Sequence, residues 1–266
     1  MEYALVAAVA LVAAGLTLFS GFGLGTLLLP AFAAFFPAEV AIGATAVVHF
    51  ANNLFKLALL GRNAKRSVVI RFGIPAIVAA VVGALFLERL ARVNQPLASY
   101  ELGGSAHEVT PIGLTVGLLI VVFAAIEWHP RIKQLQIHPR YLPLGGVLSG
   151  FFGGLSGHQG ALRSAFLIRA GLDRDQFVAT AAVCSALVDV ARLTVYAAGA
   201  FVLWREGRAE PFPAGLGPLV AAGCVSAFVG SYAGARLVKK VTLDWLQAFV
   251  AAALALFGIA MAAGLL

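Results

Sequence analysis

Charge is what this chain has least of. Of its 266 residues only 12% are Asp, Glu, Lys or Arg, whereas 61% are hydrophobic, and mean hydropathy is +0.94. So little charge cannot cover a water-compatible surface, which excludes a soluble globular protein and predicts a polytopic membrane protein. Acidic residues are the scarcer kind, 12 against 19 basic ones. The net charge of +7 does not point to nucleic acid, because Lys and Arg gather in short loops, as the positive-inside rule requires. Cysteine is nearly missing. Cys184 and Cys224 both lie in apolar runs and form neither a disulfide framework nor a metal site. His49 and His158 have no third ligand at usable spacing, so no metal and no cofactor is expected. A G-x-x-x-x-G-K-[ST] nucleotide motif is also lacking, which leaves an ion or substrate gradient to drive any transport.

What the chain does have is a succession of apolar runs with little between them. Residues 3–19, 27–36, 40–60, 68–87, 111–128, 142–170, 177–203, 216–238 and 243–266 are the segments, many near the ~20 residues that a spanning helix needs. Glu2 stands where a signal peptide would carry a basic n-region, so the first run is read as mature structure. Residues 92–108 are polar and are expected to form an extramembrane loop. No room is left for a second domain, so residues 1–266 are read as one membrane transport domain.

Residues 149–169, SGFFGGLSGHQGALRSAFLIR, interrupt this pattern. Gly150, Gly153, Gly154, Gly157 and Gly160 fall within a dozen residues, and each lowers helix propensity by about 1 kcal/mol. Such a run predicts a broken helix, with Gly157 to Gly160 as the break and Arg163 one turn into the helix that resumes. Broken backbone in a bilayer survives only under protein cover or along a polar cavity, and the resumed N-terminus attracts anions. The same features recur earlier. Gly25, Leu27 and Ala44-Thr45 align with Gly160, Leu162 and Ala179-Thr180 at an offset of 135 residues; Gly83 and Arg89-Leu90 align with Gly230 and Arg236-Leu237 at a slightly larger one. Repeats over 1–128 and 138–266 are therefore expected.

Loop charge decides between two topologies. If both broken segments cross the membrane, Arg62, Lys65, Arg66, Arg71, Arg131, Lys133, Arg140, Arg205 and Arg208 face one side, and Arg89, Arg92, Arg169, Arg174, Arg236, Lys239 and Lys240 the other, nine against seven. If both are re-entrant hairpins, five residues join the first group and Arg205 and Arg208 leave it, twelve against four. The positive-inside rule favours the second. The fold class expected is thus an all-α polytopic membrane protein of two inverted repeats, each a glycine-broken re-entrant hairpin plus three transmembrane helices, with both termini outside.

The segments Gly21-Phe22-Gly23-Leu24-Gly25-Thr26-Leu27-Leu28-Leu29-Pro30 and Gly153-Gly154-Leu155-Ser156-Gly157-His158-Gln159-Gly160-Ala161-Leu162, each followed by an Ala-Thr pair, resemble the TauE/SafE family of sulfite-exporter-like anion permeases. The resemblance extends over nearly the whole chain. It implies a permease for sulfite or organosulfonates such as sulfoacetate. The second copy departs from the pattern at His158-Gln159 and at Arg163-Ser164-Ala165, near the presumed site, so the substrate stays open.

Embedded polar residues point to an anion independently of that resemblance. Sixteen of the nineteen basic residues are loop residues, leaving Lys56, Arg163 and Arg192 inside apolar segments, where cations are rare and face a cavity or a partner. His49, Asn53 and Lys56 share a helix face, with Asn52 beside them, and Ser185, Asp189 and Arg192 repeat the spacing. Plainer readings stand beside this one. Lys56 and Arg192 lie toward helix ends and could snorkel; Asp189 and Arg192 could simply neutralise each other; His49 and His158 could be packed and neutral; the glycines could serve close packing alone.

The expected site lies where the two hairpin tips meet. Gly25 and Thr26 from one tip, and His158, Gln159, Gly160 and Ser164 from the other, would offer donors. Arg163 would supply the main charge through a fork that holds two oxygens of one anion, with Asn52, Asn53, Lys56 and Arg192 completing the lining. Asp189, His49 and His158 are the candidate proton carriers. The reading is a secondary anion transporter of the cell inner or plasma membrane, working by alternating access. Its partners would be the small anion, the bilayer, a proton or other coupling ion and, as an open alternative, a second copy in a homodimer. An anion channel, a carrier of other sulfur or carboxylate anions, and an intramembrane enzyme are the rivals. The enzyme reading suffers because Ser156 and His158 are too close in sequence for an obvious nucleophile–base geometry.

Overall fold

The computed structural model describes residues 2–20, 24–93, 95–129, 137–207, 213, 215–237 and 244–265. Gly21, Phe22 and Gly23 of the first motif, and Arg131, Lys133, Arg208, Lys239 and Lys240 of the loop count, lie outside them. The described residues form ten α-helices: α1 (Glu2–Ser20), α2 (Leu24–Ala33), α3 (Ala38–Leu60), α4 (Arg66–Ala91), α5 (Pro111–Trp128), α6 (Leu142–Ser156), α7 (Gly160–Leu167), α8 (Arg174–Arg205), α9 (Leu216–Leu237) and α10 (Asp244–Ala262). Four spans are long and apolar enough to cross a membrane, Ala38–Asn63, Arg66–Ala91, Arg174–Arg205 and Leu216–Gly234. Glu2–Leu16, Leu24–Ala33, Pro111–Ile126 and Val250–Ala262 are shorter apolar helices.

The polar stretch between α4 and α5 is not plain loop. Ala98–Leu102 (β1) and Ser105–Val109 (β2) pair as an antiparallel hairpin around Gly103-Gly104, both at positive φ. It buries almost nothing, but the Tyr100 hydroxyl donates to the Ala263 carbonyl at 2.8 Å, tying the hairpin to the end of α10.

Local sequence explains where the helices stop. Asp173 caps α8 by accepting from Gln176 N–H at 2.8 Å, and the Gln176 side chain answers in a capping box. Thr110 caps α5 from Gly113 N–H. Gly157 ends α6 at φ 84°, a left-handed conformation that disfavours any residue with a Cβ. There the chain folds back. Gly145, near the start of α6, meets the Phe166 ring near the end of α7; Ser149 Oγ donates to the Gln159 carbonyl at 3.2 Å; Ile137 N–H donates to the Ala165 carbonyl. Residues 142–167 are thus a helical hairpin with its tip at residues 157–159.

Close backbone contact holds the hairpin arm to the long helices. A Cβ on Gly146, Gly150 or Gly154 would strike the backbone of Phe72, Ala76 or Ala80 on α4, so these three glycines, four apart, permit α6 and α4 to touch along their lengths. Gly230 and Gly234 of α9 lie in the same way on Leu11 and Gly15 of α1. α5 packs on α10 through Gly117 and Gly258.

Helix directions follow from these contacts. Lys65 N–H donates to Thr180 Oγ1 at 2.9 Å, so the N-terminal ends of α4 and α8 lie together. Glu88 of α4 rests on Gly199 of α8, joining their C-terminal ends. α4 and α8 are therefore parallel, and α3, whose end leads into residues 61–65, runs antiparallel to α8. α5 and α10 are antiparallel as well, since Gly113 meets Met261 and Gly258 meets Val121.

Candidate functional site

α3 and α8 cross at their midpoints, and that crossing gathers the embedded polar residues. His49 stands at the centre of α3 (Ala38–Leu60) and Asp189 near the centre of α8 (Arg174–Arg205). His49 Nδ1 and Asp189 Oδ2 are 2.8 Å apart, and Asn53 Nδ2 donates to the same oxygen at 2.9 Å. Arg192 donates to Asp189 Oδ1 twice, from Nε at 3.0 Å and from Nη2 at 2.6 Å. The fully buried carboxylate is thereby satisfied on both oxygens. Arg192, which could have snorkelled from near a helix end, is instead central in α8 and 0% exposed, held by Asp189. Snorkelling is excluded for it.

The hairpin tip closes over this network. A Cβ on Gly157 would sit 2.7 Å from Arg192 Nη1, so the guanidinium faces the tip's backbone. His158 stacks on Phe123 of α5, with centroids 5.5 Å apart and planes at 18°. Gln159 is buried against Gly153 of α6, which Val188 of α8 also meets. From the other half, Gly25 opens α2 with Thr26 beside it, both buried. A Cβ on Gly25 would lie 3.6 Å from the Gly157 carbonyl oxygen and 3.7 Å from the Thr45 methyl. The start of α2 and the second tip are thus in contact.

Arg163, half-buried on α7, donates from Nη1 to Ser185 Oγ of α8 at 2.9 Å. Among the described residues it has no carboxylate within ion-pair distance, and neither does half-buried Lys56, which lies within electrostatic range of it. Asp189 offsets one guanidinium, that of Arg192. Two cations are left at the crossing without a matching acid. Among the described residues, six buried side-chain atoms here lack a protein partner: Thr45 Oγ1, His158 Nε2, Gln159 Nε2 and Oε1, Arg163 Nε and Arg192 Nη1. Such groups cost about 1–3 kcal/mol each while unsatisfied.

Several expected lining residues sit elsewhere in the arrangement. Asn52 accepts from Ser231 Oγ of α9 at 2.7 Å, a clasp between helices. Gly160 is buried at the start of α7, and Ser164 is half-buried farther along it. Thr45, known in the sequence only as part of the repeated Ala-Thr pair, joins the site, whereas its counterpart Thr180 holds the α3–α4 loop. Tyr196, four residues beyond Arg192 and readable from that spacing, donates its hydroxyl to the Gly154 carbonyl.

Ser156 and His158, too close in sequence for an obvious nucleophile–base geometry, are nevertheless in contact: the turn at Gly157 brings His158 Nδ1 to 2.9 Å from Ser156 Oγ. Among the described residues no third group orients the pair: His158 Nε2 has no partner, and a working nucleophile–base pair needs its base held by an orienter. Among the described residues there is also no cluster of three His, Cys, Asp or Glu able to hold a metal.

With this geometry in place, comparison with known families is decisive. The family model described as sulfite exporter TauE/SafE matches residues 6–261. The chain belongs to the TauE/SafE family. No curated protein matches it. As a TauE/SafE protein it is a multi-pass membrane protein of a sulfite or anion exporter type, in a family of transporters rather than enzymes. The cationic crossing described above lies inside the matched region.

Proposed function

We propose that this TauE/SafE protein is a secondary carrier of small anions, sulfite or organosulfonates such as sulfoacetate first among them. The anion binds where the tip at residues 157–159 meets the start of α2 and the α3–α8 crossing. The observation that carries this reading is the excess of cations over acids at that point, together with the buried donors Arg163 Nε, Arg192 Nη1 and Gln159 Nε2, which lack a protein partner. An oxyanion with two or more oxygens would satisfy several at once, and water-poor surroundings strengthen each contact. Lys56, Asn53, Gly25, Thr26, Gly160 and Ser164 line the approach; Asn52 holds α9 in place. For Asp189 we favour the structural pair over the proton carrier, because all its bonds go to Arg192, His49 and Asn53.

Residues 1–266 act as one transport domain of two inverted repeats, 1–128 and 138–266, each with a re-entrant hairpin. The antiparallel pairs α3 with α8 and α5 with α10 support this, as does the parallel pairing of α4 with α8, which the twelve-to-four charge arrangement requires. Inverted halves can exchange conformations, which is the basis of alternating access. The test is uptake into proteoliposomes of sulfite, sulfoacetate, taurine, thiosulfate and simple carboxylates, with counterflow measured for whichever anions enter. Saturable counterflow of sulfite or a sulfonate is expected. Unsaturable flux would favour a channel, and selective uptake of carboxylates alone would move the substrate class.

A further inference from the structure

The anion site leaves the carboxylate of Glu88 unused. Glu88 lies on α4, four residues before Arg92 and inside the long apolar span Arg66–Ala91. Its carboxylate occupies the space that a Cβ on Gly199 of α8 would take, and Gly199 itself is buried. Among the described residues no salt bridge or hydrogen bond reaches it, and its oxygens are not sealed from the surface. The charged and titratable groups facing it are Arg92 on its own helix, Glu39 in the first turn of α3 and Tyr196 on α8.

Position gives this carboxylate a meaning. Asp189, Arg192, Tyr196 and Gly199 follow one another at spacings of three, four and three, so they share one face of α8. Glu88 therefore stands at the end of a face of α8 that runs from the anion site to the C-terminal ends of α4 and α8. An anion passing along that face would be repelled by an ionised Glu88 and not by a protonated one. A carboxylate held in a glycine notch with no cation in contact, and with Arg92 acting on it only from a distance, is a poor structural element.

We propose that Glu88 is a proton-binding site at the mouth of the anion path, taking its proton from water at the α4–α8 C-terminal face and coupling proton entry to anion passage. The coupling, though not the proton site itself, rests on the carrier reading above.

Two measurements test it. The first is the acid-minus-neutral infrared difference spectrum of the purified protein in lipid films. Wild type should show the carboxylic C=O band of a protonated acid that Glu88→Gln lacks, and Gly199→Ala, which displaces the carboxylate, should shift that band. An identical spectrum in Glu88→Gln overturns the proposal outright. The second is sulfite accumulation in proteoliposomes under a pH gradient, where one proton per anion shifts accumulation by up to about tenfold per pH unit. Wild type should respond and Glu88→Gln should not, with Glu88→Asp recovering part of the response. Sulfite's own protonation is the same for both proteins, so the difference reports Glu88. A full gradient response in Glu88→Gln overturns the coupling. Failure of the carrier reading is recognised separately, by wild-type flux in Arg163→Ala.

Discussion

Asp189 shows what a single residue can reveal and what it hides. Its spacing with Ser185 and Arg192 is legible in the sequence, because helical periodicity is local. Its two other partners are not, since His49 and Asn53 come from a helix some 140 positions earlier, and only the crossing of α3 and α8 decides whether they meet it. Ser156 and His158 make the same point in reverse: two residues apart, they offer no obvious nucleophile–base geometry in the sequence, yet the left-handed turn at Gly157 brings their side chains into contact. The network predicts a clear cost. Asp189→Asn removes the charge opposite buried Arg192 and should destabilise the protein by roughly 3–5 kcal/mol, read as a lowered thermal midpoint in detergent. If the midpoint is unchanged while the transport response to a pH gradient disappears, Asp189 is the proton carrier and the structural assignment fails.

At the scale of elements, the broken helix at residues 149–169 was legible because five glycines in a dozen residues have no other economical use in lipid. Which glycine does what was not legible. Gly146, Gly150 and Gly154 permit contact with α4, while Gly157 alone supplies the left-handed turn. The exposed β-hairpin at residues 98–109 escaped notice because polar strands that bury nothing carry no hydrophobic alternation. The glycine assignment predicts opposite outcomes for one substitution. Gly43 of α3 has open space around it, so Gly43→Ala should be neutral or stabilising by about 1 kcal/mol. Gly150→Ala places a methyl on the Ala76 backbone, and separating packed helices should cost at least about 1–3 kcal/mol. Thermal unfolding of the two variants side by side checks this; equal midpoints would contradict the packing described for α4 and α6.

For the whole molecule, composition alone establishes the membrane class, and loop charge favours the hairpin topology proposed above. The parallel run of α4 and α8, fixed by Lys65 with Thr180 and Glu88 with Gly199, is the arrangement that this topology demands. The topology predicts that both termini face outward, with Lys65 and Arg131 in the cytoplasm. Reporter fusions at the C-terminus and in the two loops would show it, and a cytoplasmic C-terminus would contradict the inverted, re-entrant arrangement.

The central claim is that the surplus cations at the second hairpin tip bind the transported anion, and it is tested most directly by titrating purified protein with the anion that the uptake panel selects. Arg163 has one nitrogen on Ser185 and another with no partner, and hydrogen bonds to a charged group contribute about 1.5–3 kcal/mol each. Calorimetry should therefore find binding weakened by roughly one to three orders of magnitude in Arg163→Ala. Arg163→Lys should keep a small part of it, since the charge survives and the fork does not. Both variants should still purify as folded protein. Wild-type affinity in folded Arg163→Ala would contradict the account and move the site to Lys56 and Arg192.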